Sequence, residues 1–140
     1  MSTTVQKSLQ AMDYLNRITL PPNPAIVFDI DDTLIDSKGN SIHSIIALYN
    51  FSKQLGITPI IITNRSGHYQ NIEYTKEQLK QHNIVGFKLL YFRPPHKWNP
   101  WRYKLKAREN VKDKGYNVVM SIGDMEWDIG KYGGVGILLK

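Results

Sequence analysis

The sequence predicts an α/β fold built on a five-stranded parallel sheet, and three observations carry that prediction. Apolar runs of strand length alternate with helical stripes along the chain, as βαβ units require. The first run, AIVF over 25–28, is apolar throughout, which suits a strand buried on both faces. Three of the runs end in polar, reactive side chains, and open α/β sheets keep their ligand crevice at the carboxyl ends of their strands.

The elements follow in order. Val5, Leu9, Met12 and Leu15 share one helical face in the first 20 residues. Pro21, Pro22 and Pro24 stop that helix and lead into the first strand. Asp29, Asp31 and Asp32 come next, then a turn cluster over 36–40 that reads as a small flap. Ser41 is placed to cap a second helix, whose stripe is Ile42, Ile45, Ile46 and Tyr49 and which ends at Gly56. The second strand is read over 58–62, with Thr63, Asn64 and Arg65 following at once. A third helix spans about 68–82 with Tyr69, Ile72 and Leu79 inward, and a third strand spans 86–92. The segment 93–101, RPPHKWNPW, reads as a loop because of its three prolines. A fourth helix over 102–114, a fourth strand over 117–122, a short helical turn over 125–131 and a fifth strand over 135–139 complete the chain.

Length and composition narrow the field. The 140 residues fit a single domain, with an N-terminal helix in 1–20 and a core over 25–140. A 41% hydrophobic content is ordinary for a globular chain, and no stretch approaches the roughly 20 apolar residues of a membrane span. The absence of cysteine excludes disulfides and thiolate metal sites. The first residues read as an amphipathic helix rather than the apolar block of a secretory signal, so a cytoplasmic location is expected. The formal charge of +6 favours anionic partners, such as phosphate esters or nucleic acid.

Parallel strands bring the first, second and fourth strand ends to one edge. Asp29 and Asp31, then Thr63, then Asp124 and Asp128 can therefore converge there. Asp124 and Asp128 are four residues apart, the spacing of one helical face. Packed carboxylates repel one another, and a hard divalent cation such as Mg²⁺ relieves this. A carboxylate can attack phosphorus, and a second acid can protonate a leaving oxygen. A lysine is wanted for the developing negative charge. Lys104, at the start of the fourth helix, can reach the same edge, with Lys106 as its rival. Asp32 reads as a turn residue, Trp127 as packing beside the site, and His43, His82 and His96 as surface residues.

These residues resemble the haloacid dehalogenase (HAD) superfamily. FDIDDTL over 28–34 is similar to its first motif, DxDxT; IIIT over 60–63 to its second; GDMEWD over 123–128 to its fourth, GDxxxD. The nearest branch is the acid-phosphatase-like one. Thr63-Asn64-Arg65 followed by Thr75 and Leu79 resembles that branch's TGR…T…NL, with Asn64 where Gly is usual. Lys104 and Arg108 in YKLKAR resemble its YKSxxR. Polynucleotide phosphatase domains look similar here too.

The resemblance implies a Rossmann-like three-layer sandwich with strand order 5-4-1-2-3. It implies Asp29 as nucleophile and Mg²⁺ ligand, and Asp31 as general acid/base with its backbone carbonyl on the metal. Thr63 and Lys104 would hold the phosphoryl oxygens; Asn64 and Arg65 are candidate substrate- and phosphate-binding residues beside them, and Arg65 reads as lining the site or pairing with a local acid. Asp124 would ligate Mg²⁺, and Asp128 would support the metal or Lys104. The expectation is an Mg²⁺-dependent phosphomonoesterase working through an aspartyl-phosphate on a phosphorylated small molecule or nucleotide.

Only 34 positions separate Asp29 from Thr63, and 41 separate Thr63 from Lys104, so no separate cap domain fits between them. An open site leaves nucleic-acid ends as candidate substrates, and leaves an oligomer whose second subunit supplies the lid. The basic and aromatic residues over 92–103 could stack a base and hold a phosphate. A non-catalytic nucleic-acid-binding module on the same fold is the alternative, and phosphoryl transfer to an alcohol is not separable from hydrolysis.

Overall fold

The computed structural model describes residues 3–96 and 99–140, and in it five strands form one parallel sheet flanked by helices. The elements are α1 (Thr3–Arg17), β1 (Pro24–Phe28), α2 (His43–Gln54), β2 (Thr58–Ser66), α3 (Tyr69–Gln81), β3 (Leu89–Arg93), α4 (Pro100–Asp113), β4 (Asn117–Gly123) and β5 (Val135–Leu138). A 3-10 turn over Glu126–Asp128 replaces the longer helical turn read over 125–131. The strand order is β3-β2-β1-β4-β5, the expected order with β1 in the centre. Between β1 and β2 lie only the flap and α2, so no separate cap domain is inserted there.

The alternation of side chains along each strand builds two cores. Ile26 and Phe28 of β1 and Ile61 of β2 point to the face covered by α1 and α2. Ala25 and Val27 of β1, with Ile60 and Ile62 of β2, point to the other face, against Tyr103, Ala107 and Val111 of α4. The result is three layers. Phe28 pairs with Ile61 on one side and Ile122 on the other, so β1, β2 and β4 are level near their carboxyl ends.

Several sequence readings shift. In α1 the buried residues are Ser8, Ala11 and Leu15, whereas Leu9 is exposed. The helix lies close to α2, and the Ser8 hydroxyl donates to the Ser44 carbonyl at 2.6 Å. Close approach selects small residues for the contact line, which a stripe of large apolar residues does not reveal. Tyr69 is also exposed, because it opens α3 at the sheet's carboxyl edge; Thr75 and Leu79 carry the inward face.

Ser41 does not cap α2. Ile42 occupies the N-cap position without a side-chain cap, and the Ser41 hydroxyl instead shares a 2.6 Å hydrogen bond with His82 Nδ1. Helix α4 begins earlier than read, at Pro100. Asn99 caps it by accepting from Trp101 N–H at 2.8 Å, and a proline in the first turn has no helical N–H to forfeit. Lys97 and Trp98 of the aromatic, basic segment lie outside the described residues. Tyr103 of that segment is buried in the α4 core, and Arg93 is turned inward onto the carbonyl of Asn64.

Candidate active site

The end of β1 delivers Asp29, whose N–H still donates to Ile122 O at 3.1 Å. That bond carries the pairing with β4 one residue past the strand and sets Asp29 beside Gly123 and Asp124. The chain then turns sharply: the N–H groups of Thr33, Leu34 and Ile35 all donate to the Ile30 carbonyl. Asp32 takes a left-handed conformation, φ 59°, which Asp tolerates better than most residues, and it is exposed, as a turn residue should be.

Beside β1, β2 runs on past Ile62. Its register with β3 goes from Ile62 opposite Tyr91 to Ser66 opposite Arg93, so extra residues bulge out over Thr63, Asn64 and Arg65. Such bulges re-aim side chains at the rims of sheets. A reading based on apolar runs ends this strand at residue 62, because the bulged part carries no apolar pattern.

Helix α4 supplies the cations. Lys104 and Arg108 lie one turn apart on the same face, and both are buried. The Lys104 ammonium donates to Asp29 Oδ1 at 3.1 Å and to the Ile62 carbonyl at 2.7 Å, and it pairs with Asp128 Oδ1 at 2.6 Å. Lys104, not Lys106, therefore reaches the strand ends. Arg108 ties down the loop that follows β4, donating to Trp127 O at 2.8 Å and to Lys131 O at 2.9 Å. Within that loop Asp128 Oδ2 accepts from Met125 N–H at 3.0 Å. The Trp127 ring stands edge-on to Trp101 of α4, with centroids 6.0 Å apart.

Asp29, Asp124 and Asp128 can place one carboxylate oxygen each within 4.8 Å of one another. Three carboxylates against one ammonium leave two uncompensated negative charges when all are ionised. Burial pushes the Asp29 carboxyl up to about 8; the Asp128 charge adds to the effect and Lys104 opposes it. Burial also raises Asp124. A cluster of buried oxygen ligands with two negative charges to spare fits a hard divalent cation.

Asp31 stands apart from that cluster. Its carboxylate is more than half exposed and is held bidentately by Arg65, Nε at 3.0 Å and Nη2 at 2.8 Å. An extended chain would put residues 29 and 31 on one face, but the turn at Ile30 carries Asp31 to the rim. The carboxylates of Asp29, Asp124 and Asp128 meet; for Asp31 the expected metal ligand is its backbone carbonyl, and its carboxylate turns to Arg65. Thr63 is fully buried, and its Oγ1 accepts from Arg65 N–H at 3.1 Å. Arg65 also donates to Thr75 Oγ1 at 3.1 Å. Asn64 and Arg65 join Asp29, Asp31, Asp124 and Trp127 in lining an open cleft of about 240 Å³.

The sequence reading gave Arg108 and Gly123 places in motifs but no roles, and it set Arg93 in the basic, aromatic segment without its contact to Asn64. The signal for Arg108 was its i,i+4 spacing from Lys104, which puts both cations on one edge-facing stripe. Arg93 and Asn64 are 29 positions apart, and nothing local announces their contact.

Comparison with known proteins agrees with this geometry. Residues 38–135 match the family described as HAD superfamily, subfamily IIIB (acid phosphatase). The match begins beyond Asp29 and Asp31, which the sheet joins to it. Vegetative storage protein 1 of Arabidopsis thaliana is 31% identical over 131 residues, covering 74% of this chain and 48% of that protein. Vegetative storage protein 2 of the same plant is 34% identical over 83 residues, covering 59% of this chain and 31% of that protein. The chain thus spans about half or less of the length of the relatives it matches.

Proposed function

We propose, since the chain belongs to subfamily IIIB of the HAD superfamily, the acid phosphatases, that it is an Mg²⁺-dependent phosphomonoesterase working through an aspartyl-phosphate on Asp29. One observation carries the reading: a buried carboxylate at the end of the central strand, ion-paired to a buried lysine and clustered with Asp124 and Asp128. Asp29, Asp124 and the Asp31 carbonyl would hold Mg²⁺, with Asp128 in support through Lys104. When bound, the ion supplies charge neutralisation for the phosphoryl oxygens.

The chain's own residues do the rest. An Asp29 carboxylate oxygen attacks phosphorus and the bond to the leaving oxygen breaks. Asp31, at the rim, gives that oxygen its proton. Asp31 then takes a proton from water, which attacks the phosphorus of the aspartyl-phosphate, freeing inorganic phosphate and restoring Asp29. Thr63, whose oxygen is already an acceptor for Arg65 N–H, keeps its O–H to donate to a phosphoryl oxygen. Lys104 offsets the charge that builds on those oxygens.

The names of the relatives favour a second reading, a reserve protein without catalysis. A reserve protein has no use for a buried carboxylate cluster, which costs stability to assemble. The test is phosphate release from phenyl phosphate, with Mg²⁺ or with chelator. Turnover is expected only with Mg²⁺, and Asp29→Asn should lower it on the order of 10³-fold or more. A wild-type chain that neither turns over nor binds beryllofluoride is not this enzyme.

A further inference from the structure

We propose that the cavity between α4 and the loop after β4 is a second ligand site, separate from the catalytic cleft, and that it takes an aromatic carboxylate seated on Arg108. The cavity is about 630 Å³, within the range of pockets that hold a small organic ligand. Trp101 and Leu105 of α4 line it together with Ile129 and Tyr132 of the loop. It shares no lining residue with the cleft that holds Asp29 and Asp124. The site stands whether or not that cleft is catalytic.

Arg108 supplies the anchor. It is only 4% exposed, yet it lines the cavity. Its Nε and Nη1 are taken by the Lys131 and Trp127 carbonyls. Nη2 has no hydrogen bond to any described residue, and, unlike Gln78 Oε1, it is not sealed from solvent. It lies beside Gly130, another lining residue, where an added Cβ would stand 3.8 Å from it. No carboxylate among the described residues is within ion-pair distance of this guanidinium. A buried cation with an open donor and no counter-charge in contact calls for an anion.

The rest of the lining narrows the class. Arg102, Lys106 and Lys131 stand exposed around the cavity against one acid, Glu109, so the local field favours negative charge. Of the four cations only Arg108 is buried. That suits the single charge of a carboxylate; a phosphate dianion would bring in a second charge with no buried partner. The floor is mostly apolar, so the body of the ligand is apolar too. Trp101 is half exposed, and its contact with Trp127 covers at most one face of its ring. An aryl body takes the other face. Because Arg108 also holds the Trp127 and Lys131 carbonyls, a ligand on Nη2 sits on the residue that clamps α4 to the loop.

Calorimetry on the full chain with 2-naphthoate tests the proposal. Wild type should bind it about tenfold tighter than the neutral 2-naphthalenemethanol, the size of one charge-assisted hydrogen bond. Leu105 precedes Arg108 by one helical turn, so Leu105→Glu sets a carboxylate beside the open donor. That variant should bind 2-naphthoate at least about tenfold more weakly. Trp101→Ala should weaken binding about three- to tenfold. Asp29→Asn should bind as wild type does, and beryllofluoride with Mg²⁺ should not compete. 2-Naphthoate should also raise the melting temperature of wild type and not of Leu105→Glu. Equal affinity for the acid and the alcohol overturns the site, as does wild-type affinity in both Leu105→Glu and Trp101→Ala. Competition by beryllofluoride would put the ligand in the catalytic cleft and overturn it too. If a second copy of the chain covers these residues instead, sedimentation will show a dimer that Trp101→Ala breaks and 2-naphthoate does not displace, and the ligand site fails.

Discussion

A Cβ built on Gly123 would overlap the Cβ and the carboxylate of Asp128. This glycine is there because the side chain that pairs with Lys104 packs directly on it, not because its backbone is unusual. Gly123→Ala therefore has to displace Asp128, and with it one of the partners holding the Lys104 ammonium. Overpacking of this kind costs about 1–3 kcal/mol, which a thermal melt will register. Activity should fall about 10–100-fold, as when an orienting neighbour of a metal site is removed. A variant that melts lower but keeps wild-type turnover would show that Asp128 has no part in the chemistry.

Among the elements, α4 and the loop after β4 work as one unit. Lys104 reaches forward to the strand ends and Arg108 holds the loop carbonyls of Trp127 and Lys131. Arg108→Met keeps the volume and removes both bonds. The Mg²⁺ concentration for half-maximal turnover should rise about 10–100-fold, while phosphate release at saturating Mg²⁺ changes much less. A lower melting temperature with an unchanged Mg²⁺ titration would make Arg108 a packing residue only.

The elements also show what a single sequence reveals. Strand β1 and its acids were legible because an apolar run cannot bury Asp29 and Asp31 without reason, and the fourth motif because Asp124 and Asp128 have a fixed spacing. The true end of β2, the contact line of α1 and the Ser41–His82 bond were not. Each depends on what lies across the interface: a bulge against β3, a closely packed α2, a histidine 41 positions away. The meeting of Asp29 with Lys104 follows from topology; that Arg65 would pair with a local acid was legible, yet that the acid is Asp31 depends on the turn at Ile30, which no motif spells out.

For the whole molecule, the acidic cluster sets how stability follows pH. Five of the chain's 12 acidic residues, Asp29, Asp31, Asp32, Asp124 and Asp128, gather at this one edge of a chain that is +6 overall. In the folded, metal-free protein Asp29 titrates near 8, because burial favours its neutral form. In the unfolded chain it titrates near the ordinary value of about 3.9. Between those values the folded state keeps a proton that the unfolded state has released, so stability declines as pH rises. The contribution is fully present below about pH 4 and is lost on the way to about pH 8, at up to about 1.4 kcal/mol per pH unit for one group. Asp124, raised by the same cause, adds in the same direction. In chelator, wild type should therefore lose more stability than Asp29→Asn between pH 5 and pH 8, and the gap between their denaturation midpoints should widen steadily. Parallel curves would mean that Asp29 is ionised when folded, and that Lys104 outweighs burial. Mg²⁺ should reverse the trend, because it binds the ionised carboxylates and competes with that proton. The rise in melting temperature that Mg²⁺ gives should be larger at pH 8 than at pH 5, and it should shrink at both when Asp29 is Asn.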